Sequence, residues 1–175
     1  MKSILVVVDM QNDFIDGSLG TQEAQLIVPK VAKKIKEYDK YDIIYTMDSH
    51  FKTYLNTAEG QKLPVPHCIV GTHGWALSDK LNASDYSQKA IKYSFGYTDW
   101  YYCINDREDS RLIDTIEIVG LCTDICVISN ALFLKSIFPE KKIIVDASCC
   151  AGTTPENHQK ALDVMKCCQI DVINE

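Results

Sequence analysis

The chain has 175 residues, of which 24 are acidic and 18 basic, so its formal charge at pH 7 is −6. That length is typical of one domain with a single core, and we expect one domain over residues 1–175. Because the lysines are scattered rather than clustered on one face, the composition argues against nucleic acid and anionic membranes as partners.

Short apolar runs predict the β-strands. In chain order they cover residues 3–8, 42–47, 89–92, 115–121, 142–146 and, with a weaker pattern, 170–173. Three stretches between them have the period of a helix: residues 25–38, with Leu26, Val31 and Ile35 on one stripe, residues 124–136 and residues 155–165. Strands that alternate with helices predict an α/β fold, a three-layer α/β/α sandwich around a mostly parallel sheet of about six strands.

Reactive side chains follow several of these predicted strands. Ligands of open α/β sheets bind beyond the carboxyl ends of the strands, so these positions are the first place to search for a site. The residues found there are Asp9 after ILVVV, Asp48 and His50 after DIIYTM, Lys92 at the end of KAIK, and Cys122 and Cys126 after TIEIVGL. We expect them to meet at one edge of the sheet.

The eight cysteines do not indicate a secreted disulfide scaffold, because such scaffolds are usually small and loop-rich, whereas this chain is rich in Val, Ile and Leu. We interpret the thiols as reduced and expect a cytoplasmic protein. The early run ILVVV is too short for a signal peptide, and no segment has the apolar length that spans a bilayer. The pairs at 149–150 and 167–168 lack the spacing of a zinc site, so we interpret them as core or surface thiols.

Cys126 is the candidate nucleophile among these cysteines. A cysteine is more often a small buried hydrophobe than a reactive group. If Thr123 caps the predicted helix, however, Cys126 lies in the first turn, where unpaired N–H groups and the helix dipole favour a thiolate. Cys122 precedes that helix, so its backbone is better placed to act than its sulfur. Asp9 and Lys92 would supply a proton carrier and a positive charge.

A second group of polar residues predicts a metal site. Asp48 and His50 form an Asp-x-His pair, His67 lies in the proline-containing loop LPVPHCIVG, and Glu59 between them is a candidate fourth ligand. Carboxylates combined with imidazoles suit zinc, iron or manganese better than calcium. Two histidines and a carboxylate also describe the facial triad of non-haem iron oxygenases, and unrelated surface and core histidines are a further alternative.

Five stretches of the sequence carry a resemblance to a known family. They are VVDMQNDF (7–14), TMDSH with LPVPHCIVGT (46–50 and 63–72), KYSFG (92–96), GLCTDICV (120–127) and DASCCAGTTPENHQKAL (146–162). In these stretches the chain resembles the isochorismatase-like cysteine hydrolases, and among them most closely the nicotinamidases, or pyrazinamidases. The resemblance implies an isochorismatase-like fold and a metal-dependent cysteine amidohydrolase that converts nicotinamide to nicotinate and ammonia through a thioester.

The resemblance also implies roles for individual residues. It implies that Asp9, Lys92 and Cys126 form a catalytic triad with Cys126 as the nucleophile, and that Phe14 lies against the substrate ring. The backbone N–H groups of Cys122 and Cys126 would form the oxyanion hole, with a cis peptide bond preceding Cys122.

For the metal, the resemblance implies that Asp48, His50 and His67 hold a divalent ion, zinc in the first place and otherwise iron or manganese, which binds the pyridine nitrogen of the substrate. Some nicotinamidases have a further histidine where this chain has Asn56. Glu59 matches the glutamate of others, and we expect it to complete the site.

Other functions fit parts of the same pattern. One is an isochorismatase-like hydrolase acting on a different small amide or on isochorismate, and another is a non-catalytic thiol or metal sensor. An iron oxygenase is disfavoured, because it would leave Asp9, Lys92 and Cys126 unexplained. The expected partner is a small-molecule amide substrate, without nucleic acid or membrane, and we expect a homo-oligomer.

Overall fold

The computed structural model describes residues 2–84 and 87–175. Its strands are Lys2–Val8 (β1), Ile43–Asp48 (β2), Gln88–Lys92 (β3), Ile113–Leu121 (β4), Lys142–Ala151 (β5) and Asp171–Ile173 (β6). They form one six-stranded sheet in the order β3-β2-β1-β4-β5-β6, and every neighbouring pair is parallel. The predicted strands are therefore confirmed, with β5 extending five residues beyond its predicted end at Asp146.

The α-helices are Asn12–Ile15 (α1), Gln22–Ile35 (α2), Ala58–Lys62 (α3), Trp100–Asn105 (α4), Ile128–Ile137 (α5) and Pro155–Cys167 (α6). A π-helical turn, Thr123–Val127, joins β4 to α5. Buried side chains form two hydrophobic clusters, one containing residues of α4, α5 and α6 and the other containing residues of α1 and α2. The sheet lies between them, so the predicted three-layer α/β/α sandwich is confirmed.

The apolar run in β1 serves both faces of the sheet. Ile4, Val6 and Val8 belong to the cluster with α4, α5 and α6, whereas Leu5 and Val7 belong to the cluster with α1 and α2. Successive side chains of a strand point to opposite faces, so a central parallel strand needs apolar residues at every position. The continuous run ILVVV is the consequence of this burial on both sides.

The buried stripe of α2 differs from the predicted one at Leu26, whose side chain is 64% exposed. The helix begins earlier than predicted, after Thr21, whose side chain accepts a hydrogen bond from the Ala24 N–H. Its buried residues are Ala24, Ile27, Val28, Val31 and Ile35. Val31 and Ile35 were predicted correctly. Leu26 was wrong because Ile27 and Val28 occupy the face that packs on the sheet.

A glycine allows β4 to pass close to β1 just before the carboxyl edge of the sheet. Gly120 has a φ of +122°, and a β-carbon on it would lie 2.1 Å from the Val8 carbonyl oxygen. Any other residue would clash with this backbone and would adopt an unfavourable φ. The register between β4 and β5 also shifts next to this position, between Ile118 and Gly120.

All eight cysteines are free thiols. Cys149 and Cys150 are buried in β5, whereas Cys167 and Cys168 are exposed at the end of α6. The two adjacent pairs are therefore core and surface thiols, as predicted. Among residues 2–84 and 87–175, none of the helices combines the length and the apolar character needed to cross a bilayer.

Candidate active site and metal site

Four of the predicted site residues lie together at the carboxyl edge of the sheet. Asp9 follows β1, Asp48 ends β2, Lys92 ends β3 and Cys126 lies in the π-helical turn after β4. These four strands are neighbours in the sheet, and Asp48 and Lys92 are directly paired residues of β2 and β3. The four residues are far apart in sequence, and the order of the strands in the sheet brings their side chains together.

The ammonium group of Lys92 is the centre of this cluster. Its Nζ lies 2.7 Å from Asp9 Oδ2, 3.2 Å from Asp48 Oδ1 and 3.6 Å from Cys126 Sγ. It also donates a hydrogen bond of 3.2 Å to the Ser94 carbonyl. Burial alone would lower the pKa of Lys92, but the facing Asp9, Cys126 and Asp48 raise it above its ordinary value. Lys92 is therefore a permanent cation in a buried site.

Asp9 is fully buried beside this cation. Burial raises the pKa of Asp9 above its ordinary value, and the opposing effect of Lys92 does not cancel that rise. The Thr46 hydroxyl donates a hydrogen bond of 2.6 Å to Asp9 Oδ1. One carboxylate oxygen thus faces Thr46 and the other faces Lys92, which fixes the orientation of the group that could carry a proton.

Cys126 has a different electrostatic environment from the one expected of a helix start. Burial raises the pKa of the Cys126 thiol well above its ordinary value, Asp9 raises it further, and Lys92 opposes both. The expectation of a stabilised thiolate at a helix N-terminus was therefore wrong in direction. The side chain is removed from water, and the nearby Asp9 carboxylate disfavours a second negative charge.

The helix start itself also differs from the prediction. Cys122, not Thr123, is the residue before the first turn, and that turn is π-helical. The Cys122 carbonyl accepts hydrogen bonds from the backbone N–H groups of Ile125 (3.1 Å) and Val127 (3.0 Å). Thr123 does not cap the helix; its hydroxyl is hydrogen-bonded to His158 Nδ1 at 2.7 Å. Contacts with α6 thus take over from local capping.

The predicted metal ligands Asp48, His50 and His67 form a second, adjoining cluster. One potential ligand atom from each lies within 4.8 Å of the others, and all three residues are buried. Asp48 Oδ2 is 3.0 Å from His50 Nε2 and 3.5 Å from His67 Nε2. Glu59 Oε1 is 3.7 Å from the Nε2 atom of each histidine. Asn56 is exposed at the end of a short 3-10 turn.

This donor set fits a divalent transition metal. A carboxylate and two imidazoles, with a second carboxylate beside them, are the ligand types of zinc, iron and manganese sites. The His67 Nδ1–H donates a 2.9 Å hydrogen bond to the Val65 carbonyl, which leaves Nε2 facing the cluster. Such a second hydrogen bond fixes the tautomer and orientation of a metal-binding imidazole.

Asp48 connects the two clusters, because Oδ1 faces Lys92 and Oδ2 faces the two imidazoles. Burial would raise the pKa of Asp48, but the interactions with His50, His67 and Lys92 outweigh it and hold the pKa below its ordinary value. Asp48 is consequently an anion at all physiological pH values.

A cavity of about 290 Å³ opens onto both clusters. Cys126, Asp48, Glu59 and His67 line it on the reactive side, and Phe14, Phe95, Ile125 and Leu63 are among its apolar lining residues. The Phe14 ring centroid lies 5.5 Å from that of His67. The Cys122 side chain also lines the cavity, and burial raises the pKa of its thiol to about 12. A lining that combines apolar side chains with a few polar groups suits a small aromatic molecule that carries a polar substituent.

Comparison with known proteins shows the family. The model of the isochorismatase domain matches residues 3–174. The chain belongs to the isochorismatase family. The nicotinamidase of Schizosaccharomyces pombe is 28% identical over an alignment 206 positions long, which covers 98% of this chain and 92% of the relative. The nicotinamidase/pyrazinamidase of Mycobacterium tuberculosis is 24% identical, with 97% of each chain covered. The crystal structure of the pyrazinamidase of Pyrococcus horikoshii in complex with zinc has a TM-score of 0.83 at 22% identity and covers 100% of both chains.

The match over nearly the whole length makes this chain an isochorismatase-like hydrolase that is similar to nicotinamidases. The resemblance to the isochorismatase-like hydrolases, which was based on the sequence motifs, is therefore confirmed. The Leu121–Cys122 peptide bond is cis, as that resemblance implied. The roles of the individual site residues, including the Cys122 and Cys126 backbone as an oxyanion hole, stay predictions.

Two residues of this isochorismatase-family site were missed although they lie in a quoted motif. Gln11 binds the backbone of Asp48 twice: its Nε2 donates to the Asp48 carbonyl, and its Oε1 accepts from the Asp48 N–H, both at 2.8 Å. Asp13 Oδ2 accepts a 2.7 Å hydrogen bond from the Cys68 N–H, next to His67. The signal available in the sequence was the run of polar residues directly after β1.

Tyr54 is a third residue that sequence reasoning missed. Its ring is fully buried and lies edge-on to both imidazoles, with centroid distances of 4.7 Å to His50 and 5.0 Å to His67. Its hydroxyl donates a 2.9 Å hydrogen bond to the Leu63 carbonyl, which lies just after α3, the helix that carries Glu59. Nothing in the sequence around Tyr54 distinguishes it from a surface aromatic.

Proposed function

We propose that this chain is a metal-dependent cysteine amidohydrolase that hydrolyses nicotinamide to nicotinate and ammonia through a thioester on Cys126. The observation that carries the proposal is the position of Lys92 Nζ, 2.7 Å from Asp9, 3.6 Å from the Cys126 sulfur and 3.2 Å from Asp48 of the metal cluster. A proton carrier, a cation and a nucleophile meet beside one cavity, which is the set of groups that amide cleavage by a thiol requires.

The cavity and the relatives support an aromatic amide as the substrate. Its volume of about 290 Å³ is near the lower end of the roughly 300–1,000 Å³ range of small-molecule sites. Phe14 and Phe95 offer apolar surface for a ring, and Cys126 lines the same cavity. The relatives from S. pombe and M. tuberculosis are named as a nicotinamidase and a nicotinamidase/pyrazinamidase. Nicotinamide has an aromatic ring for the apolar surface and a carboxamide for the thiol.

The proposed metal is a divalent ion, zinc in the first place and otherwise iron or manganese, held by Asp48, His50 and His67 with Glu59 as a fourth ligand. When bound, such an ion supplies a Lewis acid for the pyridine nitrogen of the substrate. The protein residues around it orient the ring so that the carboxamide carbon faces Cys126.

In the first half of the reaction, Cys126 Sγ forms a bond to the carboxamide carbon while its proton passes to the Asp9 carboxylate. Because burial and Asp9 raise the pKa of the thiol, Cys126 holds its proton until the substrate arrives. Lys92 stabilises the negative charge on sulfur as the proton leaves. Asp9 then gives that proton to the amide nitrogen, the C–N bond breaks and ammonia departs, leaving a thioester.

In the second half, water attacks the thioester carbon and transfers a proton to Asp9. The C–S bond breaks, Asp9 returns the proton to the Cys126 sulfur, and the product leaves as the carboxylic acid, which loses its remaining proton to solvent and becomes nicotinate. In both halves the oxyanion would rest on the backbone N–H groups of Cys122 and Cys126. Asp9 therefore carries one proton in each direction per half-reaction, which its raised pKa facilitates.

The experiment that tests the function is ammonia release from nicotinamide by the metal-loaded protein, by the chelator-treated protein and by Cys126→Ala. We expect release from the metal-loaded protein alone, and restoration of the chelated sample when metal is added back. Ammonia release by Cys126→Ala at the wild-type rate would contradict the thiol mechanism. A full rate after verified metal removal would contradict the metal dependence.

The alternatives are separated by the same assay. Turnover of another small amide or of isochorismate, with none of nicotinamide, would favour a different isochorismatase-like substrate. Absence of turnover on all of them would favour a thiol or metal sensor. With nicotinamide as substrate, the protein would act in the salvage of pyridine nucleotides in the cytoplasm. That location, and assembly into a homo-oligomer, stay predictions.

A further inference from the structure

Asn130 of α5 is a fully buried polar residue that uses its complete hydrogen-bonding capacity. Its Nδ2 donates to the Cys126 carbonyl at 2.7 Å and to the Phe95 carbonyl at 3.3 Å. Its Oδ1 accepts from the Tyr97 N–H at 2.8 Å and from Trp100 Nε1 at 2.9 Å. An amide side chain has two donors and two acceptor sites, so these four bonds satisfy it.

These bonds join two parts of the site that are far apart in sequence. On one side is the π-helical turn that carries Cys126. On the other is the loop of residues 93–99, which follows Lys92 and ends at α4. Within this loop the Ser94 carbonyl accepts a hydrogen bond from Lys92 Nζ, and Phe95 lines the cavity. Asn130 Nδ2 is therefore a single-residue link between the nucleophile's turn and the loop that holds its cation.

Close packing of the same loop on α5 supports this link. A β-carbon at Gly96 would lie 2.6 Å from the Phe133 ring, so the loop lies directly against α5 at the residue between Phe95 and Tyr97. The two serines of α5, Ser129 and Ser136, are a useful comparison, because their side chains do not connect the helix to the loop. Ser129 and Ser136 donate only to carbonyls four residues earlier in the same helix, those of Ile125 and Leu132. Asn130 reaches the equivalent Cys126 carbonyl and extends beyond it.

We propose that Asn130 is a positioning residue that sets the separation of Cys126 Sγ and Lys92 Nζ, by holding the Cys126 turn and the Lys92 loop through the two hydrogen bonds of its Nδ2. The inference rests on the proposed function in that it assigns the chemistry to Cys126 and Lys92. It adds a residue that touches neither the substrate nor the reacting atoms.

Two substitutions at this position separate bridging from stability. Asn130→Asp keeps an acceptor for Tyr97 and Trp100 and removes both Nδ2 donors. Asn130→Ser is neutral, and its hydroxyl can still reach the Cys126 carbonyl as Ser129 reaches that of Ile125, but it cannot reach Phe95. Ser129→Ala is the matched control, because it removes a hydroxyl from the neighbouring position without breaking a bridge. Circular dichroism and thermal unfolding establish which variants are folded.

The first measurement is steady-state hydrolysis of nicotinamide by the metal-loaded variants. We expect kcat to fall about 10- to 100-fold in both Asn130 variants, because a displacement near 1 Å of a reacting group has effects of that size. Bound metal stays near wild type, since the hydrogen bonds of Asn130 go to the Cys126 turn, the 93–99 loop and Trp100 rather than to the metal ligands. KM changes less than kcat, because Asn130 holds the Phe95 carbonyl and not its ring. Ser129→Ala retains kcat within about twofold.

The second measurement does not need a substrate. Alkylation of Cys126 by iodoacetamide is followed on its peptide by mass spectrometry as a function of pH. Asp9, Lys92 and Asp48 are the charged groups that act on this thiol. If Lys92 moves away, the midpoint of the alkylation curve shifts upward, whereas a change in access alters only its plateau. We expect an upward shift in both Asn130 variants and none in Ser129→Ala.

Wild-type kcat together with a wild-type alkylation midpoint, in either folded Asn130 variant, would overturn the inference. Loss of bound metal in parallel with kcat would also overturn it, because the residue would then support the whole site rather than the spacing of two groups. If the wild-type protein does not hydrolyse nicotinamide, the proposed function fails, and the alkylation midpoint alone still decides the role of Asn130.

Discussion

The thiol cluster and the metal cluster share Asp48 but are built in different ways. Asp9, Lys92 and Cys126 each follow or end a strand of the sheet, so the backbone of the sheet places them. His50, Glu59 and His67 lie in a segment of short helices and turns between β2 and β3, where side-chain contacts such as those of Tyr54 and Asp13 hold them. Substitutions that spare the shared Asp48 should therefore act mainly on the cluster in which they lie.

The largest effect is expected from Asp9→Asn. An amide cannot accept the thiol proton, so kcat for ammonia release should fall about 10²- to 10⁴-fold. Because Asp9 raises the pKa of Cys126, its neutralisation should also lower the pH midpoint of Cys126 alkylation. Turnover and thiol reactivity would thus change in opposite directions. Metal content, measured by inductively coupled plasma mass spectrometry, should be unchanged; loss of metal would mean that the two clusters are not separable.

Next in size is His67→Ala, which removes a proposed metal ligand. Loss of an outer-shell partner alone costs about 10- to 100-fold in metal affinity, so loss of a ligand should cost about 100-fold or more. Competition with a chromophoric chelator measures the affinity. His73→Ala is the matched control, because His73 is an exposed histidine outside the cluster. Equal metal affinities in the two variants would remove His67 from the site, and Cys126 alkylation should remain as in wild type in both.

A smaller effect is expected from Tyr54→Phe, which keeps the ring against the imidazoles and removes the hydrogen bond to the Leu63 carbonyl. One lost hydrogen bond with a buried acceptor lowers the free energy of unfolding by about 1 kcal/mol. Because this contact fixes the segment that carries Glu59, metal affinity should fall about 3- to 10-fold, while kcat at saturating metal is retained. Tyr102→Phe, at a tyrosine that is 64% exposed, is the comparison. An equal result for the two would show that the Tyr54 hydroxyl does not support the metal cluster.

The smallest effect concerns the pH dependence of stability on the thiol side. Burial lowers the pKa of His158 below its ordinary value of 6.5, and the ring is hydrogen-bonded to Thr123 in the π-helical turn. A histidine whose pKa is lower in the folded state binds protons preferentially when unfolded. The free energy of unfolding should therefore decrease as the pH falls below about 6.5, by at most about 1.4 kcal/mol per pH unit for one group.

His158→Gln should weaken that dependence, and urea unfolding of both proteins at pH 7.5 and pH 5.5 measures it, these values being on the order of one unit either side of 6.5. The difference between the two proteins isolates His158 from the other histidines. A steeper loss of stability in His158→Gln at low pH would show that the histidine is more basic in the folded state, contrary to its burial.

The sequence predicted the parts of the fold and site that depend on strand patterns. The run ILVVV could only be a strand buried on both faces, and the residues after it and after the neighbouring strands were therefore correctly expected at one edge. The extension of β5 to Ala151 was missed, because alanine has little strand preference and the end of the strand, Cys150 and Ala151, is held by pairing with Gly120 and Leu121 of β4. That pairing is a tertiary effect.

The rest of the site depends on contacts that no local pattern records. The turn at 123–127 is π-helical and contacts α6 through Thr123 and His158, and the direction of the Cys126 pKa shift follows from burial beside Asp9. The sequence shows Asn130 only as a polar residue in a mostly apolar helix; its four hydrogen-bond partners are distant in sequence or visible only in the fold. Glu59 was proposed from its position between the Asp-x-His pair and His67, but its location on the short helix α3, beside both imidazoles, depends on the fold.

The two oxygens of Asp48 serve different neighbours, Oδ1 the ammonium of Lys92 and Oδ2 the imidazoles. Whatever draws this carboxylate more strongly to one side weakens its hold on the other. Thermodynamic linkage then makes the effect reciprocal: if a cation on the imidazole side changes the affinity of a ligand on the thiol side by some factor, that ligand must change the affinity for the cation by the same factor. A single shared carboxylate is enough to make the two halves of the site report on each other's occupancy.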